Sequence, residues 1–261
     1  MVDIFYLSND KHVDINVIDS VENIAGMHPD FYEKFRFRFY TLDFNAPEPF
    51  ISDPWMLFAV YNDTTKFRCD YTAVPHKKFI SLNFNTKSHR RKVIAMMRHL
   101  DAYYSDLSDE KKLTEIPEFY PNGYYKDRFD YGVPQEYFHA LIDVVTESYV
   151  GTASHFSEKS YKPLYYKKPF ITVAGPNYYA TMVKHGFVLY DELFDYDFDR
   201  IDSIEERIDE ILFQLADLNK KSLDELSAMV DWEKVEYNHN QLYKVRSEYY
   251  DNQLQSREFS I

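Results

Sequence analysis

The sequence predicts an α/β fold built around a parallel β-sheet, and three features of the stretch 141–186 indicate it. The short apolar run from Leu141 to Val145 is rich in β-branched residues, which is typical of a strand buried on both faces. A helix-like segment follows, and Pro169 ends it. A second apolar run, Phe170 to Ala174, stops at Gly175-Pro176. Strand, helix and strand in this order predict a βαβ unit with parallel strands.

The helix of this unit has recognisable start and stop signals. Ser157 can cap it, Glu158-Lys159 begin it, and Pro163 falls about one turn in, where proline is tolerated. Lys167-Lys168 are expected in the last turn, where cations suit the helix dipole. Ligands of open α/β sheets bind outside the carboxyl ends of the strands, so the segment Thr146 to Lys159 is the expected ligand site.

The other elements are predicted from apolar periodicity and from the positions of Pro and Gly. Further strands are expected at Val2–Leu7, Phe35–Leu42, Met56–Tyr61, Phe67–Tyr71, Lys78–Asn83 and Phe187–Leu189, with a strand or turn at Asp101–Asp106. Further helices are expected at Arg90–Leu100, Pro134–Leu141, Asn177–His185 (closed by Gly186), Ile204–Leu218, Leu223–Val230 and Trp232–Tyr249. Pro75 marks a boundary between a reduced N-terminal region, 1–75, and a main domain, 76–261.

Composition excludes several classes of protein. The 261 residues contain a single cysteine, Cys69, so an internal disulfide framework and a cysteine zinc cluster are ruled out. The N-terminus MVDIFYLSND lacks the pattern of a signal peptide, and no apolar run approaches the ~20 residues that span a bilayer. We therefore expect a soluble, cytoplasmic protein without a membrane segment.

Charge is distributed unevenly along the chain. The formal net charge of −13 argues against broad attraction to nucleic acid. Two basic islands nevertheless occur, at 76–99 and at 159–168. Because each lies beside predicted strand ends, they indicate either a local anionic ligand, such as a diphosphate, or two solvated helix faces.

The first island has the form of a phosphate-binding turn. A strand is followed by a polar turn and by a helix that begins with Arg90-Arg91. Backbone N–H groups at a helix start favour an anion, and arginine can bind phosphate oxygens through two hydrogen bonds. Spacing alone does not choose between Arg90 and Arg91. Near the second island, Glu147 either faces a ligand or accepts hydrogen bonds from loop amides.

The ordered motifs of the second half resemble the donor-binding domain of GT-B glycosyltransferases, above all the fucosyltransferase-like group, and are similar to phage and viral enzymes of this type. The residues that carry the resemblance are Ser157-Glu158-Lys159-Ser160-Tyr161-Lys162-Pro163, then Lys168-Pro169-Phe170-Ile171, then Gly186-Phe187. It covers about Phe79 to Tyr243 and implies a Rossmann-type parallel-sheet domain, with the N-terminal part shorter than in complete GT-B enzymes.

The resemblance also implies roles for individual residues. Glu158 binds the ribose hydroxyls of a nucleoside-diphosphate sugar, Lys159 meets the diphosphate, and an arginine after the preceding strand, Arg90 or Arg91, contacts it too. Ser157 and Glu147 complete the implied donor site. The implied activity is metal-independent sugar transfer to a hydroxyl acceptor, a glycan or a modified DNA base, with no cofactor beyond the donor substrate.

Several questions stay open at the level of the sequence. The general base is sought in the N-terminal region, where Asp43, Asp53, Asp63 and Asp70 are equivalent candidates. The acidic run Asp191–Asp209 lacks the pattern of a calcium loop and predicts a solvated loop before a helix. Three alternatives to a general glycosyltransferase remain: an enzyme acting on a hydroxymethylated DNA base, a non-catalytic nucleotide- or sugar-binding module, and an interaction protein whose basic islands are solvated.

Overall fold

A computed structural model describes residues 3–5, 38–41, 50–52, 73–83, 87–105, 133–147, 150, 156 and 158–258. Within them the chain is an α/β protein, which confirms the predicted class. The predicted strands at Met56–Tyr61 and Phe67–Tyr71 lie outside the described residues.

Three short strands are described before Pro75. β1 (Asp3–Phe5), β2 (Arg38–Thr41) and β3 (Phe50–Ser52) pair in parallel in the order β1-β2-β3. β1 and β2 fall within predicted strands, whereas β3 was not predicted, since it is only three residues long and follows a proline-rich segment. The division of the chain at Pro75 stays a prediction.

A four-stranded, fully parallel sheet follows Pro75. Its strands are β4 (Lys77–Ser81), β5 (Ala102–Tyr104), β6 (Ala140–Thr146) and β7 (Phe170–Val173), in the order β5-β4-β6-β7. All seven residues of β6 are buried, as expected for a central strand covered on both faces. This is the order 2-1-3-4 of Rossmann-like, doubly wound sheets.

Seven α-helices occur in the part of the chain that the structure describes. They are α1 (Ser88–Met97), α2 (Gln135–Phe138), α3 (Glu158–Tyr165), α4 (Tyr178–Lys184), α5 (Ile204–Leu218), α6 (Leu223–Met229) and α7 (Trp232–Glu258). The last helix continues nine residues beyond its predicted end at Tyr249. No described helix combines the length and the apolar character that a membrane crossing requires.

The helices cover the sheet on two sides. The crossover from β4 to β5 and the one from β6 to β7 leave the central strand pair in opposite directions, so right-handed connections place α1 and α3 on opposite faces. α1 packs against α5, and α3 packs against α7. The central pair β4 and β6 is therefore the switch point of the sheet, where such folds open a ligand crevice.

The core lies between the sheet and these helices. Aromatic side chains fill much of it, and many form edge-to-face pairs, such as Phe170 with Tyr190 at 5.7 Å between ring centroids. The abundant tyrosine and phenylalanine of this chain are, in the described part, largely core residues. Gly186 ends α4 with a φ of +84°, which confirms the predicted glycine cap.

One predicted strand is wrong. Residues 187–189 are described and do not form a strand. The side-chain amide of Asn238 on α7 occupies the backbone there: its Oδ1 accepts from Val188 N and its Nδ2 donates to Val188 O, both at 2.9 Å. Because one side chain satisfies both groups that a neighbouring strand would bond, the apolar segment remains irregular.

Candidate functional site

The ends of β4, β5 and β6, together with the first turns of α1 and α3, form what we call the carboxyl edge. Since β4 and β6 are hydrogen-bonded neighbours, the two segments that follow them start side by side. One leads into α1 and carries Arg90, and the other leads into α3 and carries Lys159. The predicted ligand site thus coincides with the switch point of the sheet.

Four buried polar side chains bind the strand ends to one another. Ser81 Oγ donates to Val144 O at 2.8 Å, and Asn83 Nδ2 donates to Ser81 Oγ at 3.0 Å. The Asn83 backbone N–H donates to Ser105 Oγ at 2.9 Å, and Thr146 Oγ1 donates to Asn83 Oδ1. Buried polar groups require such partners, so these side chains fix the geometry of the carboxyl edge.

Arg90 points at this edge. Its side chain is 1% exposed, and its Nη2 lies 3.5 Å from the backbone oxygen of Thr146, the last residue of β6. Arg90 shares a helix face with Val93, Ile94 and Met97, which lie three, four and seven residues further on and are buried against the sheet. The amphipathic pattern of α1 therefore carries the guanidinium inward.

Arg91 lies on a different face of α1. It is exposed, because one residue step turns an α-helix by about 100° away from the buried stripe. Of the two arginines that spacing left equivalent, the structure brings Arg90 to the carboxyl edge and turns Arg91 toward solvent.

His89 is a second buried residue from the first turn of α1. Its Nε2 lies 3.0 Å from the backbone oxygen of Glu147. A carbonyl oxygen only accepts hydrogen bonds, so Nε2 carries the hydrogen. Burial lowers the pKa of His89 to about 4, which keeps the ring neutral near pH 7. His89 thus joins α1 to the residue that follows β6.

Glu147 is completely buried, and its carboxyl group receives a chain of hydroxyl hydrogen bonds. Ser160 Oγ donates to Glu147 Oε1, and Tyr178 OH donates to Ser160 Oγ at 2.7 Å. Thr172 Oγ1 lies 3.5 Å from the Tyr178 oxygen. We call Thr172, Tyr178 and Ser160 the hydroxyl relay. Glu147 thus contacts this relay inside the protein, and the two sequence-based alternatives for its role stay predictions.

The motif residues Glu158 and Lys159 are the first two residues of α3. The predicted helix start is confirmed, and Lys159 is half-buried. Ser157 and His155 lie outside the described residues, as do the candidate bases Asp43, Asp53, Asp63 and Asp70.

The other described cations of the two basic islands include several with protein partners. Carboxylates pair with Lys77 (Asp101, 2.7 Å), Lys92 (Asp209, 2.6 Å) and Lys167 (Glu236, 2.7 Å), and Lys78 Nζ donates to Asn219 O at 2.7 Å. α3 ends at Tyr165, so Lys167 and Lys168 lie beyond it rather than in its last turn. The islands are therefore not uniform anion-binding surfaces.

Lys168 belongs to a buried cluster on β6. Its Nζ donates to Ala140 O and lies 5.0 Å from the centre of the Tyr137 ring, whose hydroxyl donates to Asp143 Oδ2 at 2.8 Å. Burial raises the pKa of Asp143 and lowers the pKa of Lys168. The register pairs Asp143 with Phe170, the first residue of β7, so this cluster lies away from the carboxyl ends of the strands.

The acidic run has structural roles. The Asp199 carboxylate accepts from Tyr179 N at 3.1 Å and Ala180 N at 3.0 Å, and so caps α4. Asp195 Oδ1 accepts from Asp197 N at 2.9 Å. Across the described ranges, no three side chains of metal-binding type come together. The predicted helix at Ile204 is confirmed, with Ser203 as its cap.

The sequence analysis missed His89, Ser160 and Tyr178 as residues of the carboxyl edge. A signal existed for His89 and Ser160, because both adjoin candidate residues at helix starts. Tyr178 gave none, since it is one of 24 tyrosines. Comparison of the chain with protein-family models, with curated proteins and with solved structures finds no match.

Proposed function

We propose that the chain is a GT-B-like glycosyltransferase that binds a nucleoside-diphosphate sugar at the carboxyl edge and transfers the sugar to a hydroxyl acceptor. One observation carries the proposal. Two neighbouring parallel strands at the switch point are each followed by a helix whose first turn bears a cation, Arg90 on α1 and Lys159 on α3. The ordered motif around Glu158-Lys159 supports it independently.

The chemistry suits these residues. In sugar transfer the acceptor oxygen bonds to the anomeric carbon, and the bond from that carbon to the diphosphate oxygen breaks. The electron pair leaves with the nucleoside diphosphate, and the acceptor proton passes to a base. Arg90 and Lys159 compensate the charge that develops on the diphosphate, and Glu158 accepts hydrogen bonds from the ribose hydroxyls.

Arg90 is the better candidate of the two arginines because it lies on the sheet side of α1, at the end of β6. Glu147 supports the site from the interior through Ser160, in the first turn of α3. Arg91 is exposed at the start of the same helix and stays the second candidate for contact with the diphosphate.

The test is calorimetric titration with UDP, GDP, CDP and their sugars. We expect one base to bind saturably, and Glu158→Gln and Lys159→Gln to weaken it about tenfold or more, since a hydrogen bond to a charged group contributes about 1.5–3 kcal/mol. Lys220→Gln is the matched control. Lys220 is exposed and follows Asn219, which contacts Lys78 and Asp101 at the other end of the sheet.

Absence of nucleotide binding, or equal affinity in the motif and control variants, would overturn the donor site. Binding without donor turnover would instead favour a non-catalytic nucleotide-binding module. Turnover that requires hydroxymethylated DNA as acceptor would identify the DNA-modifying class.

A further inference from the structure

Tyr178 contacts the chain on both sides of the Glu158-Lys159 pair. Its ring stacks on Phe156, two residues before Glu158, with centroids 4.4 Å apart and planes 14° apart. Its hydroxyl donates to Ser160 Oγ, one residue after Lys159, at 2.7 Å. A single side chain thus spans the start of α3.

Tyr178 is itself held rigidly. It is 1% exposed, and it is the first residue of α4, which directly follows β7. Asp199 caps the next two backbone N–H groups, and the Tyr179 ring packs edge-on at 5.0 Å. Burial raises the pKa of the Tyr178 phenol, so the hydroxyl keeps its hydrogen.

The far end of the contact is equally fixed. Ser160 passes the interaction on to Glu147, which is fully buried at the end of β6. The first turn of α3 is therefore held between β6 on one side and the start of α4 on the other. A side chain that binds a ligand from this turn inherits its orientation from these contacts.

We propose that Tyr178 is a positioning residue of the donor site: by holding Phe156 and Ser160, it sets the orientation in which Glu158 and Lys159 meet the nucleoside diphosphate. This inference rests on the proposed function. It assigns to the relay a role in ligand affinity, beyond its contribution to folding.

The experiment compares Tyr178→Phe with Tyr179→Phe. The first removes the hydroxyl that reaches Ser160 and keeps the ring on Phe156. The control removes an equally buried hydroxyl from the same helix, one that accepts from Thr172 N at 2.5 Å and so has its hydrogen-bond partner on β7 rather than on α3. Tyr178→Phe loses the hydrogen bond to Ser160 and the longer one from Thr172 Oγ1, and Tyr179→Phe loses the one from Thr172 N, so we expect both variants to lower the melting temperature.

Affinity for UDP, GDP and CDP separates the two variants. For the nucleotide that binds the wild type, we expect Tyr178→Phe to raise Kd about three- to tenfold, the loss that one net hydrogen bond supplies, and Tyr179→Phe to leave Kd within about twofold. Ser160→Ala removes the same contact from the other side, together with the hydrogen bond to Glu147, and should raise Kd at least as much, also where Tyr178→Phe folds poorly.

A double-mutant cycle with Lys159→Gln measures the coupling between the two residues in nucleotide affinity. If Tyr178 only stabilised the fold, this coupling would be absent. If Tyr178 acts through Lys159, the two losses in affinity are not additive, and Tyr178→Phe has little further effect in the Lys159→Gln background. Equal Kd values for Tyr178→Phe, Ser160→Ala and Tyr179→Phe, or full additivity, overturn the inference while leaving the donor site intact. A wild type that binds none of the three nucleotides overturns the proposed function itself.

Discussion

His89 shows how burial decides the chemistry of a single residue at the carboxyl edge. Its neighbours include Arg90 on α1, and its Nε2–H donates to the Glu147 carbonyl. Burial and the positive neighbours lower the pKa, and the hydrogen bond offsets only part of this. A neutral ring therefore donates one directed hydrogen bond without adding a positive charge beside the arginine.

The lowered pKa of His89 predicts a loss of stability in acid. The unfolded chain takes up a proton below pH 6.5, whereas the folded chain does so only near pH 4, so the free energy of unfolding falls as the pH falls between these values. His89→Gln keeps an N–H donor and does not titrate. We expect urea titrations to show a decline that is smaller for this variant, by up to about 3 kcal/mol. Identical pH dependence of variant and wild type would contradict the prediction.

At the residue scale, part of the candidate site was predictable. The spacing of Val93, Ile94 and Met97 already marks the buried face of α1, and Arg90 lies on that face while Arg91 does not. The helical period therefore already indicates that Arg90, and not Arg91, lies on the buried face, a distinction that the motif spacing did not make. The contacts of Tyr178 were not predictable, because they join α4 to the start of α3, and no local pattern in the sequence encodes them.

At the scale of elements, β6 carries an uncommon feature for a fully buried strand, an aspartate in its middle. Asp143 accepts a hydrogen bond from Tyr137 of α2, and the positive charge of Lys168, from the connection between α3 and β7, acts on it electrostatically. These side chains hold three segments together through charge and hydrogen bonds. Removing one member of a buried pair leaves the other charge uncompensated.

Lys168→Met is expected to destabilise the protein by about 1–3 kcal/mol at neutral pH, because it removes the hydrogen bond to Ala140 O and a positive charge that favours the ionised Asp143. Burial already raises the pKa of Asp143, and loss of the lysine raises it further, so the deficit shrinks as acid protonates the carboxyl group. Urea unfolding at several pH values measures this. Lys167→Met is the control, because Lys167 forms an exposed pair with Glu236 that contributes at most about 1 kcal/mol. Equal losses in the two variants would show that the cluster is not held by charge.

Elements with strong local signals were predicted, and those fixed by distant contacts were not. β6, α3 and β7 follow from an apolar run, a proline stop and a second apolar run. The segment 187–189 has the same apolar composition, yet Asn238, fifty residues away from Val188, determines its conformation. β3 has only three residues and directly follows a proline-rich segment, so no apolar run marks it as a strand.

At the scale of the whole molecule, the strand order β5-β4-β6-β7 was inferred only as far as a parallel Rossmann-type sheet. Strand order depends on the direction in which each crossover runs along the sheet, and this direction cannot be predicted from the sequence pattern. Once the order is known, the right-handed rule locates the switch point between β4 and β6, and the predicted ligand segment lies there.

The net charge of the whole chain opposes the binding of an anion at the proposed donor site. At −13, the protein repels anions at long range, and a nucleotide diphosphate is an anion. Salt screens this repulsion, and at 0.1 M salt exposed charges more than about 10 Å apart hardly interact. The half-buried position of Lys159 and the buried position of Arg90 suit such a protein, because partly buried charges are screened less than exposed ones.

The contact between Asn238 and Val188 also bears on the pairing of strands between different molecules. β7 is an edge strand of the described sheet. The unpaired backbone groups of an edge strand can form hydrogen bonds with a strand of another molecule. An apolar segment such as 187–189 could pair with a strand of this kind if its backbone N–H and C=O groups had no hydrogen-bond partners. The side-chain amide of Asn238 bonds both the N–H and the C=O of Val188, so these two groups are already paired within the molecule. Asn238 therefore leaves neither backbone group of Val188 available for pairing with a strand of another molecule.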